Sequence, residues 1–335
     1  MREKRPVSLG PLNPPELKRP DTRELASQFA ADLQYYLVQQ PRQLPSKYLY
    51  DELGSALFEA ICRLPWYPIT RAEERLLARR GAEILRRAAP STIVELGAGS
   101  GEKLKTLLEQ SDLDGVGHIH LVDLSGAALE QSLRTLAPVV HVDPVAHRAA
   151  YLDGLKSAAL SFDPAERVLV LFLGSNIGNF DPPGCDAFLR GVRGELKPGD
   201  TLLLGADLRK PAQNLLLAYD DPLGVTASFN RNLLVRVNRE LGADFAVGEF
   251  AHRAVWNEEA SRVEMHLVAR SRQRIHVAGA GFAFTMDAGE FIWTESSYKY
   301  QIDEIGGLLE GVGFRPIAQW EDTRDRFLLT LAQAV

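Results

Sequence analysis

The sequence predicts an α/β protein in which a mostly parallel sheet, flanked by helices, is interrupted by an inserted α+β region that forms a second, substrate-binding domain. Three observations carry this. Between residues 92 and 206 short apolar runs alternate with helical patterns, the order that yields parallel strands joined by right-handed crossovers. The first of those runs ends in a glycine-rich turn, Gly97-Ala98-Gly99-Ser100-Gly101, which opens a helix. From about residue 208 the rhythm breaks into longer helices and antiparallel strand patterns, and it resumes after residue 300.

Residues 1–20 carry charge and proline but no apolar stretch, so they are expected to form a flexible leader rather than a signal peptide. Arg23 to Gln39 sets Leu25, Phe29, Leu33, Tyr36 and Leu37 at helical spacing, and Ser55 to Cys62 predicts a second, short helix. Tyr48, Tyr50, Phe58, Trp66 and Tyr67 crowd around that helix, either as a small core or as the wall of a pocket. Thr70 to Ala88 is a charged amphipathic helix. Strands are expected at Thr92 to Leu96, His118 to Asp123, Arg167 to Leu173 and Thr201 to Ala206. The third of these is apolar throughout, as strands covered on both faces are. Helices are expected at Lys103 to Gln110, from Ala127, and at Phe188 to Leu196. The inserted region reads as helices Ala212 to Tyr219 and Ala227 to Leu241, then strands Arg253 to Trp256, Arg262 to Ala269 and Gln273 to Val277. A helix Ile302 to Gly311 and a strand Phe327 to Leu331 close the chain. The expected division is 72–207 with 300–335 for the sheet domain, and 21–71 with 208–299 for the substrate-binding domain.

Composition narrows the function. At 335 residues with 45% apolar content the chain can bury two cores. Lys and Arg total 38 against 44 Asp and Glu, a net charge of −6, which disfavours a phosphate-coating nucleic-acid binder or a basic membrane-surface protein and favours small molecules. Cys62 and Cys185 are far apart and lack zinc-knot spacing, so no disulfide scaffold or metal site is expected and a reducing, cytoplasmic compartment fits. His118 and His120, at strand spacing, make no metal constellation. No run approaches the roughly 18 apolar residues of a membrane helix. A monomer is expected.

The glycine loop departs from the dinucleotide pattern Gly-x-Gly-x-x-Gly, because its third glycine comes one position early and Glu102 follows it. An acidic residue at a helix start repels a pyrophosphate. S-adenosylmethionine is a cation without phosphate and tolerates that surrounding. Asp123, ending the second strand, stands where a carboxylate accepts from both hydroxyls of an adenosine ribose. S-adenosylmethionine is therefore the expected cofactor, with a nicotinamide dinucleotide as the alternative.

Six blocks in order, KYLYDELGSALFEAICRLPWYPITRAE, VELGAGSGEK, LFLGSNIGNF, AYDDPLGVTASFNRN, VEMHL and TESSYKY, make the chain resemble the histidine Nα-methyltransferases of ergothioneine biosynthesis from about Tyr48 onward. The resemblance implies a Rossmann-like class I methyltransferase domain, with a mostly parallel seven-stranded sheet, plus an inserted substrate domain. It implies threefold methylation of the histidine α-amine by S-adenosylmethionine to give hercynine. Asn179 in GSNIGN matches the asparagine that binds the substrate amine; taken alone, a turn-closing residue is the alternative. Tyr67 and Tyr219 match tyrosines that hold the amino-acid head, and Tyr50 and Phe58 match further pocket aromatics. Glu295 and Ser297 match the pair that hydrogen-bonds the imidazole, and Met265 the methionine packed beside it. The resemblance places Gly97, Gly99, Lys103 and Asp123 at the cofactor's methionine tail and ribose, and Tyr151 at its adenine. There the family's acidic-aromatic pair is replaced by Ala150-Tyr151. Another aromatic amino acid as substrate, or cofactor binding without catalysis, are the alternatives.

Overall fold

The computed structural model describes residues 22–110 and 115–335; the expected leader, 1–20, lies outside the described residues. The central sheet has seven strands in the order Phe314–Asp322, Phe327–Ala334, Thr201–Asp207, Val168–Phe172, Thr92–Leu96, His118–Asp123 and Val145–Arg148. The five strands drawn from 92–207 run parallel; of the C-terminal hairpin, Phe327–Ala334 runs antiparallel beside Thr201–Asp207 and Phe314–Asp322, antiparallel to it, returns to the common direction at the edge. Thr92–Leu96, Val168–Phe172 and Thr201–Asp207 are buried along their whole length. Their largely apolar character follows from having helices on both faces, with Glu95 and Asp207 as buried carboxylates near their carboxyl ends.

A four-stranded sheet in the order Arg42–Gln43, Phe291–Tyr298, Arg262–Ala269, Phe250–Asn257 forms a second layer, and Gln273–Val277 pairs with Phe282–Met286 beside it. Helix Val225–Leu241 packs on this sheet, with Asn230 bridging His252 Nδ1 at 2.9 Å and Thr294 Oγ1 at 2.7 Å. Its first turn is anchored by Asp221, whose carboxylate accepts from the amides of Val225 and Thr226. Helix Glu52–Cys62 lies against helix Val225–Leu241, and Asp51 caps it by accepting from Gly54 N at 2.8 Å. That cap moves the helix start three residues ahead of the expected Ser55.

The layers meet at the carboxyl end of Val168–Phe172. The short 3₁₀ turn Asn176–Asn179 lies so close to Phe291–Tyr298 that a Cβ on Gly178 would come within 2.7 Å of the Tyr298 carbonyl oxygen. Five strands escape the sequence reading: Arg42–Gln43, Val145–Arg148, Phe282–Met286, Phe291–Tyr298 and Phe314–Asp322. Val145–Arg148 is a half-exposed edge strand and shows no apolar alternation. Phe291–Tyr298 loses its period of two at a bulge between Trp293 and Glu295, and it turns polar residues inward. Among the described residues, no helix is long and apolar enough to cross a membrane, and no group of three His, Cys, Asp or Glu side chains could hold a metal ion.

Candidate functional site

Two cavities adjoin where the layers meet. The larger, about 1180 Å³, opens above the glycine loop at the end of Thr92–Leu96 and is lined by Gly97, Gly99, Gly101, Lys103 and Glu95, with Cys62, Arg63 and Glu74 across from them. Gly97 and Gly101 adopt φ of +81° and +79°, a region costly for a side chain. A Cβ on Gly101 would also sit 2.9 Å from Ser132 Cα. Asp123 clasps the loop from the neighbouring strand: its carboxylate accepts from Gly99 N at 3.1 Å and Ser125 N at 2.8 Å. Burial raises its pKa despite those bonds.

Charge in this cavity is organised by a residue that the sequence reading left aside. Glu73, on helix Ile69–Ala88, is fully buried; it accepts from Gly174 N with both oxygens, at 2.9 and 2.8 Å, and pairs with Lys103 Nζ at 2.7 Å. Burial alone would pull the lysine's pKa down, but the Glu73 carboxylate outweighs it and holds the ammonium above its usual range. Glu95 is buried with one carboxylate oxygen lacking any partner. Desolvation pushes its pKa up to about 8. An orphaned acceptor and a loop of open backbone suit a cationic guest that carries hydroxyls, and they do not suit a pyrophosphate. Tyr151 begins helix Tyr151–Ala159, and its ring packs edge-on against Phe172 at 5.1 Å and Phe188 at 5.9 Å, beneath Gly97. It lines neither cavity wall.

The second, smaller cavity lies between the parallel sheet and the four-stranded sheet. Tyr50, Phe58, Tyr67, Asn179, Tyr219, Met265, Glu295 and Ser297 all line it. The aromatic side is a continuous set of edge contacts: Tyr50 to Phe58 at 5.5 Å, Phe58 to Tyr67 at 6.3 Å and Tyr67 to Tyr219 at 6.1 Å. Phe229, absent from the sequence reading, completes this wall at 5.5 Å from Tyr50 and 6.0 Å from Phe58. Burial holds the hydroxyls of Tyr50 and Tyr67 well above the usual phenol pKa, so both stay protonated and can donate.

The opposite wall is polar. Glu295 sits directly across the strand pair from Met265, so the bulge that hid this strand also brings the carboxylate beside the methionine on the cavity side. Glu295 is desolvated there, and its pKa is pushed up to about 7, with Lys299 opposing the shift. Ser297, two residues on, shares that face; its Oγ lies 2.8 Å from Tyr219 Oη. Asn176 is a third residue, after Glu73 and Phe229, that the sequence reading missed. It lines both cavities, as do Phe58, Tyr67 and Gly174, so those four form the common wall. The signal was present in the motif itself, since GSNIGN offers two asparagines a 3₁₀ turn apart and only the second was singled out.

A sequence model for the family described as "Histidine-specific methyltransferase, SAM-dependent" matches residues 29–334. The chain is 41% identical over 307 residues to the histidine N-alpha-methyltransferase of Mycobacterium tuberculosis, covering 87% of this chain and 90% of that protein. It is 38% identical over 311 residues to the protein of the same name from Mycolicibacterium smegmatis, covering 92% and 95%. It is 30% identical over 293 residues to ergothioneine biosynthesis protein 1 of Schizosaccharomyces pombe, covering 84% of this chain and 37% of that longer protein.

Proposed function

We propose, on the premise that the chain belongs to the histidine-specific, S-adenosylmethionine-dependent methyltransferase family, that it methylates the α-amine of L-histidine up to three times, giving hercynine for ergothioneine biosynthesis. The observation that carries the reading is the wall shared by the two cavities. A cofactor above the glycine loop and an amino acid against the aromatic wall would meet at Tyr67 and Asn176.

S-adenosylmethionine supplies, when bound, a methyl group already attached to a sulfonium leaving group. What remains for the protein is positioning and desolvation. Gly97, Gly99 and Asp123 would hold the adenosine side, and the Lys103 ammonium, steadied by Glu73, the carboxylate of the tail. The substrate nitrogen must arrive uncharged, because an ammonium has no lone pair. Tyr67 and Asn179 would orient that nitrogen: the carboxamide oxygen of Asn179 takes one of its hydrogens, and the displaced proton passes to solvent. Glu295 and Ser297 would hold the imidazole, and Met265 would pack on it. The third methyl leaves a permanent positive charge on nitrogen, which the rings of Tyr50, Phe58 and Phe229 lining the cavity would stabilise by cation–π attraction.

Incubation with L-histidine and S-adenosylmethionine, followed by mass spectrometry, tests the reading. Histidine gaining one, two and then three methyl groups is expected. Faster methylation of tryptophan or tyrosine, or no methyl transfer to histidine, would overturn it.

A further inference from the structure

Behind the polar wall lies a layer with no role in the chemistry above. Lys299, two residues beyond Ser297, is buried to 1% exposure. Its Nζ has three neighbours: Asp207 Oδ2 at 2.9 Å, Tyr219 Oη at 2.9 Å and Ser297 Oγ at 3.0 Å. An ammonium has three hydrogens and no lone pair, so it donates to all three. The other oxygen of Asp207 is held by Lys210 Nζ at 2.6 Å. Tyr219 Oη also lies 2.8 Å from Ser297 Oγ. The phenol is the more acidic hydroxyl of the two and therefore the donor. Ser297 Oγ thus accepts twice, from Lys299 and from Tyr219, which fills both of its lone pairs. What it has left for the cavity is its own hydrogen.

We propose that Lys299, anchored by Asp207, is a specificity-determining positioning residue: it restricts Ser297 to donating, so the pocket takes a ring with a bare nitrogen toward Ser297 and an N–H toward the Glu295 carboxylate. The proposal rests on the reading that Glu295 and Ser297 hold the substrate's ring. A neutral imidazole meets both requirements. An indole offers no bare nitrogen and a phenyl ring offers neither group, so each leaves the Ser297 hydrogen unpaired in a desolvated wall. Tyr219, through Ser297, then acts at the ring end of the cavity.

A double-mutant cycle on the full chain tests this. Lys299→Met leaves Asp207 paired with Lys210, and cofactor binding reports that the variant is folded. The expected result is a rise of about tenfold in the histidine KM, the scale of one lost hydrogen bond, with the KM for S-adenosylmethionine unchanged. In a Ser297→Ala background the same substitution should add nothing further. A full additional rise in that background would show that Lys299 acts on packing alone and would overturn the proposal. Ser297→Ala without effect on the histidine KM would instead overturn the ring-subsite reading beneath it. The wild-type protein gives an independent measurement. At a pH of about 8, with the Glu295 carboxylate ionised, 3-pyridylalanine should compete with histidine about tenfold better than its isostere phenylalanine. Equal inhibition would overturn the proposal.

Discussion

The two cavities adjoin and are built by opposite means. Above the glycine loop, recognition is mostly backbone: three glycines at positive φ, an amide clasped by Asp123, and a half-buried Lys103 paired with the buried Glu73. Against the four-stranded sheet it is side chain: a run of aromatic edges facing Glu295 and Ser297. A backbone site accepts any guest that matches its shape and charge. A side-chain site reads functional groups, and discrimination is strongest where a mismatched guest strands a buried polar group. This division suits a cofactor common to many reactions beside a substrate that must be chosen among amino acids.

The sharpest way to break the comparison is at Glu73, which serves both cavities. It ties down Gly174, part of the shared wall, and neutralises Lys103 on the cofactor side. Removing the buried carboxylate leaves the Gly174 amide without its acceptor, while Lys103, a quarter exposed, can turn to solvent; an unsatisfied buried donor costs about 1–3 kcal/mol. Glu73→Ala should therefore lower the free energy of urea unfolding by that amount and weaken both cofactor and histidine binding. A loss below about 1 kcal/mol, the range of an exposed ion pair, would mean that the two sides are organised independently.

The next effect separates the two asparagines of GSNIGN. Asn176 lines both cavities and Asn179 only the substrate one. Either substitution to Ala should slow the first methyl transfer by on the order of a hundredfold, the penalty for a misplaced reacting group. Asn179→Ala should raise the histidine KM alone, whereas Asn176→Ala should raise the KM of both substrates. An unchanged first-methyl rate in Asn179→Ala would remove that residue from the mechanism.

The same contrast explains what the sequence made legible. The parallel sheet and its loop could be read locally, because full burial writes itself as TIVEL and RVLVLFL and tight turns as GAGSG. The substrate wall could not. Its strand Phe291–Tyr298 breaks period at a bulge and faces Glu295 and Ser297 inward, which resembles a surface strand, and only the ordered set of six blocks singled those residues out. Glu73 and Lys299 escaped for a related reason. A charged residue in a helix or strand pattern reads as solvated, and its burial depends on a partner more than 90 residues away in the chain, Lys299 on Asp207 and Gly174's amide on Glu73.

The smallest expected effect gives each cavity its own pH window. Glu95 above the loop is raised from 4.5 to about 8 and Glu295 against the sheet from 4.5 to about 7, in both cases mainly by desolvation. A carboxyl with a raised native pKa keeps its proton in the folded state while the unfolded chain releases it. Its contribution is complete below about pH 4.5 and is lost as pH rises to the native value. The unliganded chain should therefore lose stability with rising pH, by at most about 1.4 kcal/mol per unit for each group. Between about pH 7 and 8 Glu95 holds more of its proton than Glu295 does, so Glu95→Gln should flatten the curve there more than Glu295→Gln. Urea unfolding at half-unit pH steps resolves the two. If either variant abolished the pH dependence of both groups, the carboxylates would be titrating as one coupled pair, and the separation of the two cavities would fail electrostatically.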